Sequence, residues 1–216
     1  MRFRRRDFAR RWWAEVTFPV ARQIFAEPIS SYWEGGPRLG FGVSHRTNSS
    51  IELNLGYAKR PYDDRFQLSM FGDPYPALSL TMDEFKSELV WKETWDAAKH
   101  WSTTAKWFFS RRLDNGEGWY DVDRMGLSIA AKFETKRWVV RGMARWSTSD
   151  YPLQMVSPFD PSLRTRDELE LEGRIEYHFE KHWTLYGSYL YESVRSNVIL
   201  DAYRSNTAFG GIEFEF

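Results

Sequence analysis

From about residue 38 onward, apolar side chains recur at every second position in one segment after another. That is the period of a strand with two unlike faces. The clearest case runs from Glu168 to Phe179: Leu169, Leu171, Gly173, Ile175, Tyr177 and Phe179 form one face, and Glu168, Glu170, Glu172, Arg174, Glu176 and His178 the other. Met125 to Phe133 and Trp138 to Trp146 repeat it. So do Leu39 to Val43, Ile51 to Tyr57, Phe85 to Trp91, Thr103 to Phe109, Trp183 to Tyr191 and Ala208 to Phe216. The pattern predicts nine strands of roughly 9 to 14 residues, longer than the usual strand of a soluble sheet and long enough to cross a bilayer at a tilt.

The connections alternate in length. Short links fall near Arg46 to Ser50, Lys92 to Lys99, Glu134 to Arg137 and Glu180 to His182; long ones run over Pro61 to Thr81, Leu113 to Tyr120, Thr148 to Arg166 and Ser193 to Ser205. Successive hairpins then place all short links at one end of the sheet. Most prolines sit in the long links, and none in the nine strands as drawn. An even strand count, usual in single-chain outer-membrane barrels, requires a tenth strand, and Trp12 to Val20 alternates acceptably. The expected organisation is a basic tail over 1–11 and, over 12–216, an all-β, antiparallel, up-and-down transmembrane β-barrel of about ten strands. Short turns would face the periplasm and long loops the exterior, with 21–37 as the first long loop.

Composition narrows the class. The 30 basic and 30 acidic residues cancel, so no overall charge recommends a nucleic-acid partner. No stretch approaches the roughly 18 apolar residues of a membrane-spanning helix. With no cysteine, a disulfide framework, a thiolate metal site and a cysteine nucleophile are all excluded.

Alternation alone does not say which way the oily face points. The asymmetry of the connections favours lipid outside. So do the large rings: Trp91, Trp138 and Trp183 flank short turns, while Trp146 and Tyr191 approach the long-loop end, as in a pair of interfacial girdles. The ionic face would then line a lumen, where charges must pair or meet water. Arg141 and Arg145 face the same way as Glu168, Glu170 and Glu172 on the next strand, which predicts an internal network shared with Arg174 and Glu176 and extended by Glu84, Lys86 and Glu88.

The chain finishes Gly210-Gly211-Ile212-Glu213-Phe214-Glu215-Phe216. This resembles the terminal strand of bacterial outer-membrane proteins, in which Ile212, Phe214 and Phe216 would be read by the barrel assembly machinery. The stretches Tyr120 to Phe133, Ala144 to Gln154 and Leu185 to Phe216 resemble the C-terminal barrels of tetratricopeptide-containing outer-membrane proteins, the surface lipoprotein assembly modifier group among them. The likeness covers roughly residues 80–216. It implies a bacterial outer-membrane location, contact with outer-membrane lipid, and a surface lipoprotein or periplasmic partner. That group carries helical repeats before its barrel, and this sequence has none. Met1 to Trp13 holds six arginines and no apolar run of signal-peptide type. The expectation is a start internal to a longer reading frame.

For catalysis, His45, His100 and His182 fall at or near short turns and His178 near that end of the ionic face, away from the outer rim where a barrel enzyme would work. No catalytic residue, metal site or cofactor is expected, and the chain reads as not an enzyme. Three function classes follow. The leading one is a barrel acting as anchor, scaffold or export partner with a charge-filled lumen. A narrow porin-like channel for small polar solutes or ions comes next, and a surface enzyme or adhesin using the long loops is third.

Overall fold

A strand must pair its backbone, and here every strand does so with antiparallel neighbours, those inside the sheet on both sides. The computed structural model describes residues 2–7, 11–27, 30–46, 48–157 and 159–214. Thirteen strands form one sheet: β1 (Arg2–Asp7), β2 (Trp12–Thr17), β3 (Val20–Gln23), β4 (Tyr32–Gly35), β5 (Arg38–Arg46), β6 (Ser49–Leu68), β7 (Pro74–Thr94), β8 (Trp101–Asp114), β9 (Val122–Glu134), β10 (Trp138–Ser157), β11 (Asp160–Glu180), β12 (Trp183–Ser196) and β13 (Tyr203–Phe214). The path runs β1-β2-β5-β6 and then consecutively to β13, an up-and-down meander. The described residues contain no α-helix.

The nine expected strands and the tenth at Trp12 are present, but the count and the closure differ from expectation. Arg2–Asp7, assigned from sequence to a basic tail, pairs along β2 from Arg2↔Thr17 to Asp7↔Trp12. It makes eleven strands on the path, so the two ends of the described chain lie at opposite ends of the sheet. No pairing joins β1 to β13 among the described residues, and the sheet they form is open.

The long loops are mostly strand. β6, β7, β10 and β11 have 20 or 21 residues, against 13 or 14 in β8 and β9. At about 3.3 Å per residue, the taller pairs run some 20 Å beyond their neighbours. Large apolar side chains no longer recur at every second position there, although Leu80 and Met82 are buried, so periodicity alone does not reveal these extensions. Proline is tolerated in them at irregularities: the register shifts between Pro61 and Phe66, and again between Asp150 and Met155, around Pro152. Pro161 also falls inside β11; Pro158 lies outside the described residues. The first connection follows the same plan. β4 pairs with β6 at Gly35↔Lys59 and Tyr32↔Tyr62, directly above the β5 pairing, so β3 and β4 continue β2 and β5 upward past the breaks at Pro19 and Pro37.

The oily face points outward. Leu171, Ile175 and Ile212 are 39%, 51% and 61% exposed, and Leu53, Leu89, Leu127 and Ile129 are exposed with them. Buried apolar side chains among the described residues are few, namely Ala58, Leu80, Met82, Val90, Val139 and Val194. A water-soluble sheet inverts this arrangement, since each large side chain left in water forgoes about 1.5 to 3 kcal/mol. At the short-turn end the rings join in an outer belt: Trp91 with Trp95, Trp101 with Phe133, Trp138 with Tyr177, and Trp183 with Phe214 at 4.8 Å. Trp146 and Tyr191 stand about eight residues above Trp138 and Trp183, or about 26 Å along the strand. The Tyr57–Phe85 ring pair occupies a similar height on β6 and β7.

Candidate functional site

The polar face of β5 to β12 carries an ordered charge pattern that follows from register. Arg38, Gly56, Lys86, Ser110, Arg124, Ser149, Arg166 and Ser196 are successive cross-strand partners in one row. A cation stands on every second strand with glycine or serine between, about 10 Å apart. Like charges directly opposite each other, which destabilise a sheet, are thereby avoided. The neighbouring row toward the short turns reads Glu88, Phe108, Gly126, Ser147 and Glu168, and the next reads Lys106, Ser128, Arg145 and Glu170.

Carboxylates tie the rows together. Glu168 accepts from Arg124 and, at 2.9 Å, from Arg166. Glu84, nearly buried, is faced by Arg60 at 2.6 Å, Lys86 at 3.0 Å and Arg112 at 3.5 Å. Lys106 meets Glu88 at 2.9 Å. These pairs enclose a recess of about 640 Å³. Arg60, Lys86, Lys106, Arg112, Arg124, Arg145 and Arg166 line it, opposed by Glu84, Glu88 and Glu168. Arg60 also meets Glu34 at 2.6 Å, and seven cations against these four carboxylates leave the recess net positive.

The ion pairs on this face join other partners than those expected. Arg145 lies opposite Glu170 in register, yet its guanidinium sits over the Phe108 ring, 5.3 Å from the centroid, and forms no ion pair among the described residues. Glu170 faces Glu192 on its other side. Arg141 is directly across from Arg174, and both turn to Glu176, at 3.6 and 2.6 Å. Glu172 remains exposed beside a second recess of about 340 Å³ that Arg141 and Arg174 also line. Of the terminal-strand residues, Ile212 and Phe214 face outward; Phe216 lies outside the described residues.

Inward glycines were not foreseen as functional. Gly42, Gly126 and Gly211 each sit under a side chain bearing a ring from the adjacent strand. A Cβ at Gly42 would come 2.1 Å from the Trp13 ring, at Gly126 2.6 Å from Phe108, and at Gly211 2.9 Å from Tyr186. All three are direct cross-strand pairs, so each ring lies flat on the wall and leaves the space above it free. The signal in the sequence is a polar-face glycine opposite a polar-face aromatic, visible only once register is known.

At the rim opposite the short turns, the loop after β8 binds both tall hairpins. Glu117 accepts the Met70 backbone N–H at 2.9 Å and the Tyr75 hydroxyl at 2.8 Å. The Gln154 side-chain amide donates to the Trp119 carbonyl at 2.9 Å. Asp114 holds the loop itself by accepting from the backbone of Gly116, Gly118 and Tyr120.

A search of protein-family models finds no match, and a search of curated proteins finds none either. Among solved structures the chain is similar to OmpTΔL8, a loop L8 deletion mutant of OmpT, an outer membrane protein of Vibrio cholerae. The TM-score is 0.63 at 11% identity, over 99% of this chain and 62% of that one. This chain thus spans under two thirds of the neighbour's length. The fold is that of an outer-membrane β-barrel. The narrower likeness to surface lipoprotein assembly modifier barrels receives no support from these comparisons.

One expectation is corrected here. The reading as a non-enzyme rested on where four histidines fall, and the shared outer-membrane fold together with the rim carboxylates overturns it. Burial, reinforced by the nearby carboxylates of Asp114 and Asp123, pushes the Asp121 carboxyl above its ordinary value. General acid–base chemistry can use a carboxyl as well as an imidazole, so histidine placement does not exclude catalysis on this fold.

Proposed function

We propose that this chain forms the wall of a passage through the bacterial outer membrane for small polar solutes, with a preference for anions. The observation that supports this reading is the net-positive recess of about 640 Å³ on the polar face. Paired charges alone would suit a filled, structural lumen. An unfilled recess with excess cations suits a water-wetted path, because solvated anions enter a positive cleft at lower cost than cations. Outer-membrane lipid would cover the face carrying Leu171 and Ile175, and the barrel assembly machinery would act on the strand carrying Ile212 and Phe214.

Planar-bilayer recording tests the proposal. Steady openings with a reversal potential on the anion side of zero, in a potassium chloride gradient, are expected. Protein that inserts without conducting, or that prefers cations, overturns it.

The tall, tied outer hairpins favour a second reading as scaffold or export partner for a surface lipoprotein. Phe159, 98% exposed, and Leu200, 96% exposed, lie at the outer end of the sheet and offer apolar surface to a partner. Cross-linking from position 159 in intact cells would capture that partner, and an absence of adducts would remove this reading.

A further inference from the structure

We infer that Arg145, Phe108 and Ser128 form a binding site for the oxyanion group, phosphate or carboxylate, of a small solute. The inference rests on the passage reading for how the solute arrives.

Arg145 differs from the other cations of the recess. Arg124 and Arg166 share Glu168; Arg60, Lys86 and Arg112 share Glu84; Lys106 has Glu88. Arg145 forms no ion pair among the described residues, and its guanidinium lies over the Phe108 ring. A guanidinium carries five N–H donors in a planar fork that matches the two oxygens of a carboxylate or phosphate. Phe108 supports it from one side, and Gly126 lets that ring lie flat, so the fork is held against the wall while the recess stays open above. Arg124 also approaches this ring, 6.0 Å from its centroid. Ser128 is the cross-strand partner of Arg145 on β9 and lines the same recess, placing a hydroxyl donor beside the fork.

The acceptor best placed to compete is Glu170, across from Arg145 on β11. Its other cross-strand neighbour is Glu192, and Arg145 rests on the Phe108 ring instead of on Glu170.

The experiment is a titration of the folded, detergent-solubilised chain with inorganic phosphate and, separately, acetate, followed by calorimetry. Saturable binding is expected, with Arg145→Ala weakening it roughly tenfold or more, the size of one lost charge-assisted hydrogen-bonded pair. Arg145→Lys should fall between the two, because it keeps the charge and loses the fork. Glu170→Gln should bind as tightly as the parent chain or tighter. The absence of binding by the parent chain overturns the site, as does equal binding by folded Arg145→Ala or weakened binding by Glu170→Gln. Folding of each variant is checked by heat-modifiable migration, and Arg145→Lys decides the matter if the alanine variant does not fold. A chain that binds phosphate without conducting in bilayers keeps the site and loses the passage. One that conducts without binding either anion keeps the passage and loses the site.

Discussion

Phe108 lies across Gly126, its direct partner on β9, so closely that one added carbon at Gly126 would stand 2.6 Å from the ring and 2.5 Å from the Trp146 carbonyl oxygen. The pairing keeps a large ring on the polar wall without closing the recess over it. Gly126→Ala must move either the ring or the β10 backbone. We expect it to destabilise the barrel by about 1 to 3 kcal/mol, the cost of overpacking, measured as a lowered urea midpoint of unfolding in lipid. Removing the ring as well, in Gly126→Ala/Phe108→Ala, should recover only part of this because the carbonyl remains.

The direction of the oily face is tested by adjacent residues on β9. Ile129 is exposed on the outer face, and Ser128 lines the recess. Ile129→Arg places a charge in lipid and should cost about 2 to 4 kcal/mol near the midplane. Ser128→Arg adds the same charge to a polar wall and should cost far less. Equal unfolding midpoints in lipid for the two variants would contradict the orientation.

Glu168 neutralises both Arg124 and Arg166. Glu168→Gln keeps the shape and removes the charge, so it should make the recess more positive. The expected result is a reversal potential shifted further toward anions, with a stability loss of about 1 kcal/mol, as for a partly exposed ion pair. An unshifted potential would mean that permeating ions do not sample this wall.

The rim should respond to acid in a defined sense. The Met70 N–H and the Tyr75 hydroxyl hold the Glu117 carboxyl below its ordinary value. A depressed carboxyl contributes stability above its unfolded pKa and loses it as pH falls through the lowered one. Asp121 has the opposite sign: its raised value means that its ionised form opposes folding, and protonation relieves this first as pH falls. Amide exchange over residues 114–121 should therefore hold or slow on mild acidification and then quicken at lower pH. Glu117→Ala should exchange quickly already at neutral pH.

Much of this molecule is legible from its period of two. Leu169 to Phe179 against Glu168 to His178 shows a strand with unlike faces without any partner being known, because side chains of a strand must alternate. The short turns and the belt formed by Trp138 and Trp183 follow from the same reading. Two things do not. Beyond Tyr57 and Trp146 large apolar side chains no longer recur at every second position, so nothing in the residue pattern distinguishes a tall hairpin from a loop. The Arg-rich Arg2–Asp7 becomes a strand because β2 offers it a free edge, and a free edge belongs to the sheet.

The charge network divides in the same way. That Arg141, Arg145 and Glu168 share a face is a property of the chain alone, since parity along each strand decides it. Which carboxylate each arginine meets depends on register and on the slope of cross-strand rows, and these exist only when strands pair. Arg145 rests on Phe108, and Glu168 is taken by Arg124 and Arg166, because neighbours two strands away compete for the same space. The sequence by itself determined which side chains face together; tertiary structure decided which of them touch, because partner choice depends on distances that no single strand contains.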